Sequence, residues 1–137
     1  MKKKEHWKNE PDLHDYPAAA DYLSLVLPPP DVDRIVATLR KAKIVHRKAK
    51  DLLRASGLPA LAHDNVHVSK DLAKVRKGKQ LAPVLLVRGH APTGTDLIIA
   101  DGYHRICASY HLDEDLDIPC RLADLSSVWP SRRRTGR

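Results

Sequence analysis

Cysteine is scarce in this chain: its 137 residues include only Cys107 and Cys120, and the two are too far apart for a Cys-x-x-Cys pair. That spacing offers no zinc or redox pair, and both thiols read as small buried hydrophobes. Long apolar runs are missing as well. No stretch approaches the roughly 20 apolar residues needed to cross a bilayer. The opening "MKKKEHWKNEPDLHDY" is basic but has no apolar segment behind it, which argues against a secretory leader. A cytoplasmic protein is expected. Internal repeats and long low-complexity segments are also absent, and 42% hydrophobic content is enough for one compact domain over residues 1–137.

Charge is present in excess, at +7, and its position matters. Lys2, Lys3, Lys4, Arg132, Arg133, Arg134 and Arg137 carry the whole excess; the remaining 17 basic residues balance 17 acidic ones. Residues 1–16 and 126–137 therefore read as flexible ends able to add nonspecific affinity for DNA or RNA without forming a site.

Between them, residues 17–65 read as a helical N-terminal part. "PAAADYLSLVL" (17–27) opens on a proline suited to a first helical turn, and Pro28, Pro29 and Pro30 close it. Asp31 or Asp33 then caps a longer helix in which Ile35, Leu39, Ala42, His46, Ala49 and Leu53 recur at spacings of four and three, ending near Gly57. Arg40, Lys43, Arg47, Lys50 and Arg54 fall on another side of that helix. They read either as an anion-binding ridge or as a solvated face neutralised by the acidic residues 113–117 of the same chain or of a second copy in a homo-oligomer. Residues 66–124 read as the core. Ser69 caps a helix that stops at Gly78. "APVLLVRG" (82–89) and "DLIIAD" (96–101) form a hairpin across the turn "HAPTGT", and "IPCRL" (118–122) is a third strand reached through a helix. The fold class expected is α+β, a small mixed sheet with flanking helices.

The chemistry concentrates at "ADGYHRICASY" (100–110), where a strand ends and a helix begins. Tyr103, Ile106, Cys107 and Tyr110 share one helical face. The first N–H groups of that helix lack intrahelical partners and carry the positive end of its dipole, which suits an anion. Gly102 lets the backbone come close, Arg105 can fork two donors onto phosphate oxygens, and His104 can add a third. Asp101 would repel an anion unless it is protonated, caps the helix, or holds a divalent cation, so it points to a phosphate with Mg²⁺ or to a base. Read without any ligand, the same residues are a helix cap, a turn glycine and two surface side chains.

Taken with "GKQLAPVLLVRG" and "LIIADGYHRICASYHLDEDLDIPCRL", this turn resembles the core of the ParB and sulfiredoxin superfamily, in which a Pro-containing approach leads to a strand, a Gly-x-x-Arg-type turn, a helix and an "IP" strand. The resemblance implies a nucleotide-binding domain with phosphates on Gly102, Tyr103, His104 and Arg105. The sulfiredoxin turn is similar to "GGCHR", and its reactive cysteine falls at Tyr103, so that thiol chemistry is not implied. The ParB turn is similar to "GERR", whose glutamate is missing here, so a partition clamp is not expected. Free-serine kinases, with a turn similar to "DGHTR", match Asp101 and Arg105. The resemblance thus implies a nucleoside di- or triphosphate with Mg²⁺, and phosphoryl transfer or nucleotide hydrolysis with Asp101 and His104 as the catalytic pair. Lys79, with Lys77 and Gln80, lies where a loop could close over the nucleotide. His63 and His67 would suit a metal on a helix, but Gly57 and Pro59 argue for a loop, so no metal ligands are assigned. The alternative is a non-catalytic oligomeric or nucleic-acid-associated adaptor using the Arg40–Arg54 ridge and the tails.

Overall fold

The computed structural model describes residues 6–125. Its strands are β1 (His6–Trp7), β2 (Ile44–Lys48), β3 (Gln80–Leu81), β4 (Val84–Arg88), β5 (Ile98–Asp101) and β6 (Asp117–Asp124). The helices are α1 (Asp15–Leu23), α2 (Pro29–Lys41), α3 (Ala49–Ser56), α4 (Val66–Arg76) and α5 (Tyr103–Leu112). The class is α+β, with a mixed four-stranded sheet in the order β2-β6-β4-β5 and a small parallel pair β1-β3.

The sheet explains why "VLLV" is apolar on every residue. β4 is an inner strand, parallel to β6 and antiparallel to β5, and helices cover both of its faces. Side chains alternate along a strand, so Leu85 and Val87 join Ala19, Leu23, Ile35 and Leu39 of α1 and α2 on one side. Val84 and Leu86 pack on the other side with Leu52 of α3, Val68 of α4 and Ile106 and Cys107 of α5. A strand buried on both faces needs no polar alternation.

The hairpin and the third strand match the sequence expectation, with β4 and β5 antiparallel and β6 following α5. The long helix over residues 31–56 does not form. α2 ends at Lys41 where Ala42 takes an extended backbone, ψ 147°, and β2 follows and pairs with the whole first part of β6, from Ile44 against Arg121 to Lys48 against Asp117. The β-branched pair Ile44 and Val45 favours that ladder over continued helix. His46, placed in the apolar stripe by helical spacing, is exposed on this edge strand. Consequently Arg40, Lys43, Arg47, Lys50 and Arg54 are spread over α2, a connector, β2 and α3, and form no single helical ridge. Lys50 instead pairs with Asp115 at 3.1 Å within the same chain.

Two further boundaries move. Helix α4 starts at Val66, not after Ser69, because Asn65 Oδ1 accepts from the N–H groups of His67 and Val68. Residues 6–16 are built into the fold rather than left as a flexible end: β1 pairs with β3, and Asp15 and Tyr16 are buried. Residues 1–5 and 126–137 lie outside the described part. No helix among the described residues is long and apolar enough to cross a membrane.

Candidate functional site

The site is built around the joint between β5 and α5. Gly102 caps α5 with φ +105°, a region L side chains rarely adopt, and a Cβ there would overlap Val84 Cγ1 and approach the Arg105 guanidinium. Only glycine lets the turn lie this close to β4. The first intrahelical bond runs from the Ile106 N–H to the Gly102 carbonyl, so the N–H groups of Tyr103, His104 and Arg105 point outward from the helix start.

Arg105 folds back over this turn and is only 16% exposed. It donates from Nη2 to Asp101 Oδ2 at 2.7 Å, and its Nη1 lies 3.9 Å from Asp15 Oδ2 at the start of α1. Its Nε is buried and, among the described residues, has no hydrogen-bond partner. One guanidinium therefore bridges two carboxylates. Burial raises the Asp101 pKa, and the neighbouring Asp15 adds to the rise, while Arg105 opposes it. A second carboxylate beside Asp101 disfavours its ionised form.

Helix α4 supplies the opposite wall. His67, Lys70, Asp71 and Lys74 follow one another at helical spacing and line, together with Lys8, Asp12, Gln80, Asp101, Gly102, His104 and Arg105, a cavity of about 360 Å³. The rings of His67 and His104 lie 4.6 Å apart. Burial lowers the His104 pKa, and His67 adds to that effect, so the imidazole is held neutral near neutral pH. Burial also raises the Asp71 pKa against the pull of Lys74, 3.9 Å away. Asp12, by contrast, is held low chiefly by the hydrogen bond it accepts from Lys8 Nζ at 2.8 Å. Lys70 lines the cavity without an ion pair among the described residues.

Of the residues singled out in the sequence, Asp101, Gly102, His104 and Arg105 meet in this cavity. Tyr103 does not: its hydroxyl donates to the Pro59 carbonyl, on the far side of the turn, because one helical face cannot serve both the core and the cavity. Lys79 is not among the cavity's lining residues, and Gln80 is the member of that loop that reaches it. His63 and His67 also separate, His63 edge-on to His111 at 6.1 Å and His67 against His104. Lys8, Asp12 and Asp15 lie in residues 1–16, whose polar sequence carries no core pattern to mark them as part of a site. On α4, the recurrence of His67, Lys70, Asp71 and Lys74 at spacings of three and four is the sequence signal for this wall.

Asp12, His14 and Asp15 bring three donor atoms within 4.8 Å of one another. Two of those carboxylates already face Lys8 and Arg105, so a cation there competes with bound positive charge. Both cysteines are buried and chemically quiet, burial pushing the Cys120 thiol up to about 12 and the Cys107 thiol also upward. Comparison with known protein families, with curated proteins and with solved structures finds no match for the chain.

Proposed function

We propose that this protein binds a phosphorylated ligand, a nucleoside di- or triphosphate, in the cavity between α4 and the start of α5. The observation that carries the reading is convergence. The start of α5 at His104 and Arg105, whose N–H groups have no intrahelical acceptor, and Lys70, which has no ion pair among the described residues, border one polar recess whose other walls hold carboxylates. Fixed amide dipoles and a movable ammonium are what an anion of spread charge requires. Arg105 serves this reading as part of the cradle, its charge shared with Asp101 and Asp15 and not free as in a simple anion clamp.

Carboxylates so close to a phosphate need a reason, and a divalent cation supplies one. Mg²⁺ accompanying the phosphates would take oxygen donors from Asp12 and Asp15, displacing Lys8. The reaction class that fits is phosphoryl transfer or nucleotide hydrolysis. Asp101, whose raised pKa makes its carboxylate the stronger base, is the group able to accept a proton from an attacking hydroxyl or water, and His104, which a bound phosphate drives toward its charged form, is the group able to donate one. The adaptor reading has less to stand on, since its basic ridge is divided among separate elements.

Calorimetric titration with Mg²⁺ and a panel of nucleoside triphosphates tests the proposal. Binding should weaken about tenfold or more in Lys70→Glu, the loss expected when a charge-assisted contact of about 1.5–3 kcal/mol becomes repulsive. Unchanged affinity in that variant, or no binding by any nucleotide, rejects the cavity as the site.

A further inference from the structure

A second recess opens on the other side of the same turn. It has a volume of about 470 Å³ and is walled by Ala18, Tyr22, Leu58, Ile99, Ala100 and Tyr103. Ala18, Asp101, Gly102 and His104 border both this cleft and the polar cavity, so the two meet across the turn and the start of α5. Tyr22 and Leu58 remain 45% and 39% exposed in the wall, which leaves apolar surface uncovered beside a strongly polar recess. Three rings face the cleft: Tyr22, Tyr103 and His104, the last two 5.7 Å apart and tilted by 41°.

We infer that this cleft receives the aromatic base of the ligand whose phosphates occupy the polar cavity. The inference rests on the phosphate reading above and deepens it. An aliphatic wall would suit any apolar body, but rings set at an angle favour a flat π-system that can lie on one and meet the edge of another. Stacking of this kind tolerates every base, because each presents a π-face. Tyr103 is free to act as a wall because its hydroxyl is anchored on Pro59, which fixes the ring's orientation. The turn is therefore the hinge point of ligand recognition, with phosphates on one side of Gly102 and the base on the other.

The experiment compares inorganic tripolyphosphate with ATP and CTP, each with Mg²⁺, by calorimetric titration into the wild type and the Tyr22→Ala/Leu58→Ala variant. Wild type should bind the nucleotides about tenfold or more tightly than tripolyphosphate. The double variant should lose that margin while its tripolyphosphate affinity stays unchanged, and Tyr22→Trp should keep the margin. If the double variant melts too low to titrate, Tyr22→Ala alone replaces it. Equal binding of tripolyphosphate and nucleotides by the wild type overturns the base cleft and leaves the phosphate cavity standing. A parallel loss for all three ligands overturns it too, as does conversion of a ligand-free dimer to monomer by the variant, which would assign the cleft to contact between copies. Absence of tripolyphosphate and nucleotide binding alike removes both readings.

Discussion

At the scale of single residues, the site is a set of groups whose charges are unsettled by their neighbours. Asp101 shows the direction for acids: its raised pKa means that the folded state holds a proton more tightly than the unfolded chain, so this group's contribution to stability falls as pH rises from 3.8, its ordinary value, through the raised one. His104 works in the opposite sense. With its pKa lowered from 6.5, the unfolded chain takes up a proton first, and stability is lost as pH falls below 6.5. A bound phosphate should reverse this, because an anion at the imidazole favours its charged form against His67 and Arg105 and in concert with Asp71. Tripolyphosphate affinity, followed by calorimetry, is predicted to rise as pH falls from 7.5 toward 5.5, taken as about one unit either side of the ordinary histidine value. His104→Gln should flatten that rise; an identical pH profile in the variant would place the titrating group elsewhere.

At the scale of elements, helix α4 is what turns a strand-to-helix joint into a cavity, and one side chain holds its start. Asn65 accepts from the His67 and Val68 N–H groups, and the first turn it fixes carries His67 toward His104. Asn65→Ala should cost about 1 kcal/mol of stability in chemical denaturation, the usual loss for an N-cap. It should also weaken nucleotide binding through His67 and Lys70, although Asn65 does not line the cavity. A stability loss with unchanged binding would separate the helix start from the site. Elements with strong local signals were legible from sequence: the β4–β5 hairpin from its turn residues, and the start of α5 from Gly102 and the periodic Tyr103, Ile106 and Cys107. Strand β2 was not. Its exposed residues Val45 to Lys48 carry no apolar alternation, and the helical spacing that spans them belongs in fact to α2 on one side and α3 on the other. What makes Ile44–Lys48 a strand is a ladder to β6, from Ile44 against Arg121 to Lys48 against Asp117, far along the chain.

At the scale of the molecule, the candidate site is assembled from distant parts of the chain. The turn at Asp101–Arg105 was legible because its residues are contiguous. The other walls were not, because their membership depends on tertiary placement: β1 docks on β3, and that pairing carries Lys8 and Asp12 to the cavity and delivers Asp15 to Arg105. Charge balance along the chain said only that the N-terminal segment was polar. Deleting residues 1–14 should lower the melting temperature by several degrees, since about 1 kcal/mol corresponds to roughly 4–8 °C in a domain of about 60–100 residues and roughly 2–4 °C in one of about 150–250. The same deletion should weaken the Mg²⁺ dependence of nucleotide binding by removing Asp12. A truncated protein with unchanged melting and binding would show that the segment is dispensable.

In the proposed site, phosphate lies on the outward N–H groups at the start of α5. Backbone amide resonances of ¹⁵N-labelled protein, recorded while tripolyphosphate and then Mg²⁺–ATP are added, report on those atoms directly. Saturable shifts are expected at His104 and Arg105 with both ligands, together with shifts at Lys70. Saturable binding that leaves those amides unmoved, or no binding at all, would contradict this placement.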